Sequence, residues 1–325
     1  MSKYVIVGAG ATGTGVATQL ANAGHEAVVV SRSGSGPETT GVRKVSADAT
    51  DLVVLGDLAA GAAAIFNCAN PKYHRWLTDW PPIAQSLLGA AEHSGATLVT
   101  LSNLYAYGVP RGPMTAQDPL EANYPKAQVR ANMWRDALHA HESGRLHAVE
   151  VRASDFIGPR ANSVLGERVI PRVLRGKSVQ VIGDPTVAHS WTYVDDVATT
   201  LVACALDPTS WGRAWHVPTN PARSSHEAID DLADAAGVRR VRVTALPTAA
   251  IRVAGLFSPM IRELPKTLYQ FEGPFVIDDR DTRAHFSLEP TPWPRVLAAA
   301  IGQFRPIRES SALEELLQPL EGCAN

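Results

Sequence analysis

Tyr4-Val5-Ile6-Val7-Gly8-Ala9-Gly10-Ala11-Thr12-Gly13 is the stretch whose reading decides the fold. Its first four residues form a short apolar, β-branched run, the pattern of a buried strand. The glycines follow at once in the order G-x-G-x-x-G, and Thr14 to Ala23 has helical character. In that context each glycine has a task. The first permits a tight turn, the second lets backbone approach a pyrophosphate, and the third lets helix and strand pack closely. Gly24 closes the helix, and Glu26 to Val30 supplies a second apolar strand. The succession predicts a dinucleotide site at Gly8, Gly10, Ala11, Thr12 and Gly13. The alternative is a glycine-rich turn in a doubly wound domain that binds something else.

The end of the second strand selects the dinucleotide. An acid about 20 residues past the glycines takes the ribose 2′-hydroxyl of NAD. Here the chain reads Ser31-Arg32-Ser33, with no acid until Glu38. Arg32 can pair with a 2′-phosphate through its planar fork, and Ser31 and Ser33 can add hydroxyl donors. NADP(H) is therefore expected in preference to NAD(H). Arg32 as a solvated surface residue beside the Gly34-Ser35-Gly36-Pro37 loop is the competing reading.

At 325 residues the chain has room for one core and a smaller lobe. It is 45% hydrophobic, 19% charged and carries a net charge of −2, so no basic face suggests nucleic acid. No stretch reads as a membrane span or a secretory leader. Cys68, Cys204 and Cys323 lie far apart and read as reduced thiols of a cytoplasmic protein. The histidine and cysteine spacings match no metal site, and the glycine-rich turn lacks the lysine of a P-loop.

Further strands are expected at Gly41 to Val45, Ala64 into the Cys68-Ala69-Asn70-Pro71 loop, Thr97 to Leu101 and Val149 to Arg152. Asp48 and Asp51 follow the third strand, where an acid could reach an adenine; for Asp51 a helix N-cap is an equal reading. Helices are expected over Trp80 to Ser94, begun by Pro81-Pro82, and over Lys126 to Glu142. Beyond Pro159 the pattern predicts a helix over Gly166 to Arg175, a strand at Val179 to Ile182, a helix to Leu206 and a strand at Trp215. Helices should also begin at Ser224 and run over Pro259 to Phe271, with a capped tail helix from Ser311.

These motifs together resemble the extended short-chain dehydrogenase/reductases, the NAD-dependent epimerase/dehydratase group. Ser102 to Gly108 resembles the family's Ser-Ser-x-x-Val-Tyr-Gly element. Arg152 to Pro159 resembles Arg-x-x-x-x-x-Gly-Pro. Ile182-Gly183-Asp184 and Tyr193-Val194-Asp195-Asp196-Val197 resemble two later elements. The resemblance implies an α/β fold: a Rossmann doubly wound parallel sheet over residues 1–158, joined by 189–207, with a smaller mixed substrate lobe over 159–304 and a tail over 305–325. It also implies cofactor contacts from Asp48, Cys68, Ala69, Asn70, Ser102, Lys126, Arg130 and Ser154, and a possible homodimer through Pro82 to Ser94 and Lys126 to Glu142.

The family's Tyr-x-x-x-Lys pair falls on Lys126 and Arg130, and its Ser/Thr beside the substrate oxygen falls on Asn103. Tyr124 is near, but stands two residues from Lys126, whereas residues four apart share a helix face. Arg130 stays charged yet can bind ribose hydroxyls or phosphate. Lys126 or Tyr105 is expected to transfer the proton and Asn103 to orient the oxygen, with Tyr107 a second nearby phenol. A solvated Lys126/Arg130 face without redox turnover is the competing reading. His189, Trp191, Tyr193, Arg262 and Tyr269 are candidate substrate walls. The expected activity is hydride transfer at a carbonyl or alcohol carbon of a small molecule. A non-catalytic dinucleotide-binding sensor or scaffold, and a non-redox acid/base enzyme, are the alternatives.

Overall fold

The computed structural model describes residues 1–247, 256 and 264–304. Arg262, Cys323, part of the helix expected before Phe271 and the tail helix from Ser311 lie outside the described residues. The first body is a parallel sheet built from β1 (Lys3–Val7), β2 (Glu26–Ser31), β3 (Val42–Ser46), β4 (Ala62–Asn67), β5 (Thr97–Ser102), β6 (Ala148–Arg152) and β10 (Ala214–His216). Their order in space is β10-β6-β5-β4-β1-β2-β3. Chain direction through the sheet reverses its march between β1 and β4, and ligands of such sheets bind outside the carboxyl ends at that point.

The central strands β1, β2 and β4 are apolar on both faces because helices cover both faces, whereas edge strand β3 exposes Arg43 and Lys44. Ile6, Val28 and Val29 are fully buried, and each such side chain stabilises the fold by roughly 2 kcal/mol. On one side α1 (Ala11–Asn22) and α6 (Val194–Leu206) pack together, with the Gln19 amide donating to Thr199 Oγ1. On the other lie α2 (Leu52–Ala59), α3 (Trp76–Ser94) and α4 (Pro125–Glu142). Asp51 caps α2 by accepting from the Val54 amide, which settles its role as the N-cap.

Two expected boundaries are corrected. Helix α3 begins at Trp76, one turn before Pro81-Pro82, because Trp76 and Trp80 are spaced one helical turn apart and both are buried. Only Ile170–Leu174 (α5) of the segment from Gly166 to Arg175 is helical, with Pro171 in its first turn, where the missing N–H costs no bond. Two helices without a foreseen signal, Arg280–Phe286 and Trp293–Gly302, complete the described chain.

The smaller lobe has its own core, in which α5, α7 (Ser225–Ala236), the Trp293–Gly302 helix and the pair β8 (Val179–Val181) and β11 (Val243–Ala245) meet. A second pair, β7 (Asp155–Ile157) with β9 (Trp191–Tyr193), joins the lobes. Gly158 has φ +131°, and a Cβ there would stand 2.8 Å from Val194 Cγ2 and 2.9 Å from the Tyr193 ring. The Gly-Pro and Tyr-Val-Asp-Asp elements are thus two sides of one contact. Asp196 clamps the turn over Pro290 to Pro294 by accepting from Thr291 N–H at 2.9 Å and its hydroxyl at 2.6 Å.

Candidate active site

The turn after β1 is built as its glycines require. Gly8 has φ +113°, and a Cβ there would lie 2.4 Å from the Cys68 carbonyl oxygen. A Cβ on Gly13 would come within 1.9 Å of the Gly8 oxygen. At Gly10 the same test meets nothing within 4 Å, and Gly10 is the N-cap of α1, whose first turn holds no acid. The helix N-terminus therefore offers open N–H groups and a partial positive charge to an anion. These residues fit a dinucleotide pyrophosphate. Cys68 is buried against Gly13, burial pushes its thiol up to about 12, and its contribution is backbone. Ala69 N–H is turned onto Asn67 Oδ1, while Asn70 is exposed.

At the end of β2, Arg32 and Ser33 are exposed and Ser31 is half-buried. The Ser31 hydroxyl bonds to the Ser35 carbonyl, and Ser33 donates to Ser35 Oγ. Asp48 is held below the usual carboxylate range by the Thr50 N–H and hydroxyl, with the positive charge of Arg32 adding to the effect. Arg32 thus stands near Asp48, beyond the end of β2.

The other end of the crevice is made by β5, β6 and α4. Ser102 lies opposite Arg152 in the sheet register and is buried. Asn103 follows and turns the chain by accepting from the Tyr105 N–H at 3.2 Å. Lys126 and Arg130 share the inner face of α4 and are 3% and 5% exposed, so a solvated face is excluded. Lys126 Nζ lies 3.6 Å from the centroid of the Tyr73 ring. The Arg130 guanidinium stands 4.8 Å from the Trp80 ring and donates to the Leu101 carbonyl. Burial pulls Arg130 down to about 10, which leaves it charged at neutral pH. Ser154 Oγ is buried with no hydrogen-bond partner among the described residues.

Tyrosines line the space in front. Tyr105 packs against Tyr73, Trp76 and Tyr124, and Tyr124 Oη lies 3.5 Å from Tyr269 Oη. Burial, with Tyr73, Asp155 and Tyr269 adding to it, raises the Tyr105 phenol well above its ordinary value. As a neutral phenol it donates well and is a poor base at neutral pH. Tyr124, Tyr269, Arg111 and Lys266 line an open cavity of about 400 Å³ at the mouth.

Tyr107 also lines this cavity, but its hydroxyl is engaged behind it. Arg152 Nη1 donates to its hydroxyl at 2.6 Å, and that hydroxyl donates to His216 Nε2 at 2.9 Å. His216 Nδ1 in turn donates to the Asp278 carbonyl at 3.0 Å, which fixes the tautomer. Glu150, 2.6 Å from Arg152 Nε, neutralises the arginine. Burial lifts Tyr107 to about 12 and holds His216 down to about 4, so this buried network is a scaffold behind the site.

Of the expected substrate walls, Tyr269 reaches the cavity. Trp191 and Tyr193 are buried, tied to the Arg223 carbonyl and to Asp195. His189 is buried and bonded to Asp155, whose carboxylate acts on both Tyr105 and Tyr269. Sequence reading missed Asp155 and Tyr73. Asp155 stands inside the Arg152–Pro159 element, but only the fold brings it to His189.

Residues 4–215 match the sequence profile of the NAD dependent epimerase/dehydratase family. The chain belongs to this family. No curated protein matches it by sequence. Among solved structures, the fold of this epimerase/dehydratase member is similar to MoeE5 in complex with UDP-glucose and NAD, at TM-score 0.75 and 22% identity over 93% of this chain and 98% of that one. It is similar to DesIV, a dTDP-glucose 4,6-dehydratase from Streptomyces venezuelae with NAD bound, at TM-score 0.74 and 19% identity over 96% and 98%. UDP-glucose 4-epimerase from Thermotoga maritima, with UDP-glucose, matches at TM-score 0.75 and 17% identity over 93% and 98%. Among the described residues no helix is long and apolar enough to cross a membrane.

Proposed function

We propose that this epimerase/dehydratase family member binds NADP(H) in preference to NAD(H) and carries out hydride transfer at a carbonyl or alcohol carbon of a small molecule. The observation that carries the reading is one crevice with two prepared ends. The open, acid-free helix N-terminus at Gly10 lies at one, and the Asn103, Tyr105, Lys126 and Ser154 cluster lies at the other. Bound there, a nicotinamide dinucleotide supplies or accepts the hydride. The chain's own residues do the rest. Gly8 to Gly13 hold pyrophosphate, Arg32 pairs with a 2′-phosphate, and Ser102 and Ser154 border the nicotinamide end. The Asn103 amide orients the substrate oxygen, while the Tyr105 hydroxyl and the Lys126 ammonium are its donors.

The family's Tyr-x-x-x-Lys positions hold Lys126 and Arg130 here, so the proton chemistry departs from the family pattern. Nucleoside diphosphate sugars, of which UDP-glucose is bound in two of the solved structures above, are the first substrates to offer. Arg111 and Lys266 at the cavity mouth suit their phosphates. Two copies would pair through the outer faces of α3 and α4.

A second reading, a dinucleotide-binding protein without turnover, is favoured by one feature: Lys126 lies beneath the Tyr73 ring and Arg130 is engaged with the Leu101 carbonyl. Titration with NADP+ and NAD+, followed by absorbance of the reduced nicotinamide with UDP- and dTDP-glucose, separates the two. Binding with hydride transfer supports the enzyme. Binding without it across substrates and pH supports the second reading, and no binding removes both.

A further inference from the structure

We propose that Asp155, held by His189, is a proton-transferring group of this site, the two side chains together keeping one exchangeable proton between them. Both ring nitrogens of His189 face acceptors. Nδ1 is 3.1 Å from the Gln270 carbonyl oxygen, and Nε2 is 2.8 Å from Asp155 Oδ2. A carbonyl only accepts, so Nδ1 carries a hydrogen. A neutral imidazole then presents a bare Nε2, and an ionised carboxylate opposite it would leave two lone pairs facing at hydrogen-bond distance. The contact therefore requires a second proton, on Nε2 as imidazolium or on Asp155 as carboxylic acid. The ring is 1% exposed and stacks 4.9 Å from Phe271 and 5.3 Å from Phe275, faces that favour a cation. Asp155 is one-quarter exposed, and its charge acts on Tyr105 and on Tyr269, which lines the cavity.

Asp155 lies just beyond the carboxyl end of β6, as Asn103 lies just beyond that of β5, and Ser102 and Arg152 are register partners. The groups acting on the crevice side of Asp155 are the phenols of Tyr105 and Tyr269. Arg223, whose backbone pairs with His189, keeps its guanidinium on Asp231 at 3.0 Å. In the reducing direction the shared proton, first passing from Nε2 to Asp155 where His189 holds it, leaves the carboxyl oxygen as an O–H bond forms at the substrate oxygen and its carbon gains the hydride. The carboxylate left behind faces neutral His189, and the pair recovers a proton from solvent. Tyr105, a poor base, and Lys126, under Tyr73, remain donors that hold the oxygen. His189 is a positioning residue.

This inference rests on the hydride-transfer reading for its use but not for its proton. The test is carbon and nitrogen NMR of ligand-free protein labelled in aspartate and histidine at neutral pH. Either a doubly protonated His189 or a protonated Asp155 carboxyl is expected. A neutral His189 beside an ionised Asp155 would overturn the proposal. Asp155→Asn supplies an N–H to Nε2, keeps the contact and removes the exchangeable proton. It should leave dinucleotide affinity and fold unchanged, lower hydride transfer by about a hundredfold or more, and flatten its pH profile. Full turnover in that variant would also overturn the proposal. A wild-type protein that binds no dinucleotide would count against the function reading, and the NMR result would still decide this one.

Discussion

The two ends of the crevice are built by opposite means. At Gly8 to Gly13 the surface proposed for the dinucleotide is backbone, and its shape follows from which positions can carry a Cβ. At Asn103, Lys126 and Asp155 the surface is side chains, delivered by β5, α4 and the segment after β6, and backed by the Tyr73–Trp80 aromatics and the Glu150–Arg152–Tyr107–His216 network. The first end tolerates almost no change in sequence. The second can exchange its chemistry while the fold stays the same, because its neighbours hold geometry through burial rather than through one required residue type.

The sharpest break of this contrast is within the glycine turn itself. Gly13→Ala places a methyl 1.9 Å from the Gly8 oxygen and should destabilise the protein by about 3 kcal/mol or more, read by denaturant unfolding. Gly10→Ala meets open space, should cost within about 1 kcal/mol, and should still weaken dinucleotide binding in a titration. Equal destabilisation by the two would remove the distinction between a packing glycine and a ligand glycine.

At the other end the scaffold should respond to acid. His216 stays neutral in the folded protein, with its pKa depressed from 6.5 to about 4, while the unfolded chain binds a proton near 6.5. Its contribution is complete above 6.5 and is lost as pH falls through the window down to about 4, a change of about 3 kcal/mol. Unfolding curves at pH 7 and pH 4 check this, and His216→Gln should remove that part of the slope. Next in size, Lys126→Met keeps the volume beneath Tyr73 and should cut hydride transfer about a hundredfold with dinucleotide affinity nearly unchanged. The smallest effect is at the rim: Arg32→Ala should lower the preference for NADP+ over NAD+ about tenfold in paired titrations, since the side chain is exposed.

The same contrast explains what was legible in the sequence. The glycine turn was readable because steric demands act over a few residues, and the doubly wound parallel sheet followed from the motifs together, while the order of its strands came only with the fold. Lys126 and Arg130 could be placed on one helix face by spacing alone. That this face is buried under Tyr73 and Trp80 depends on α3 starting at Trp76, and Pro81-Pro82 concealed that start. Asp155 and His189 are 34 residues apart and meet through the pairing of β7 with β9, which no local signal announces. The sequence makes Tyr105 the candidate and Tyr107 a second nearby phenol; that the Tyr107 hydroxyl is tied to Arg152 and His216 is visible only in the fold.

A crystal structure of the protein grown with NADP+ tests the account most directly. It should show pyrophosphate on the amides after Gly10, the 2′-phosphate at Arg32, and nicotinamide bordered by Ser102 and Ser154, with the substrate space open before Asn103 and Asp155. A dinucleotide whose nicotinamide lies away from Ser102 and Ser154, or that lies away from the Gly8–Gly13 turn, would contradict it.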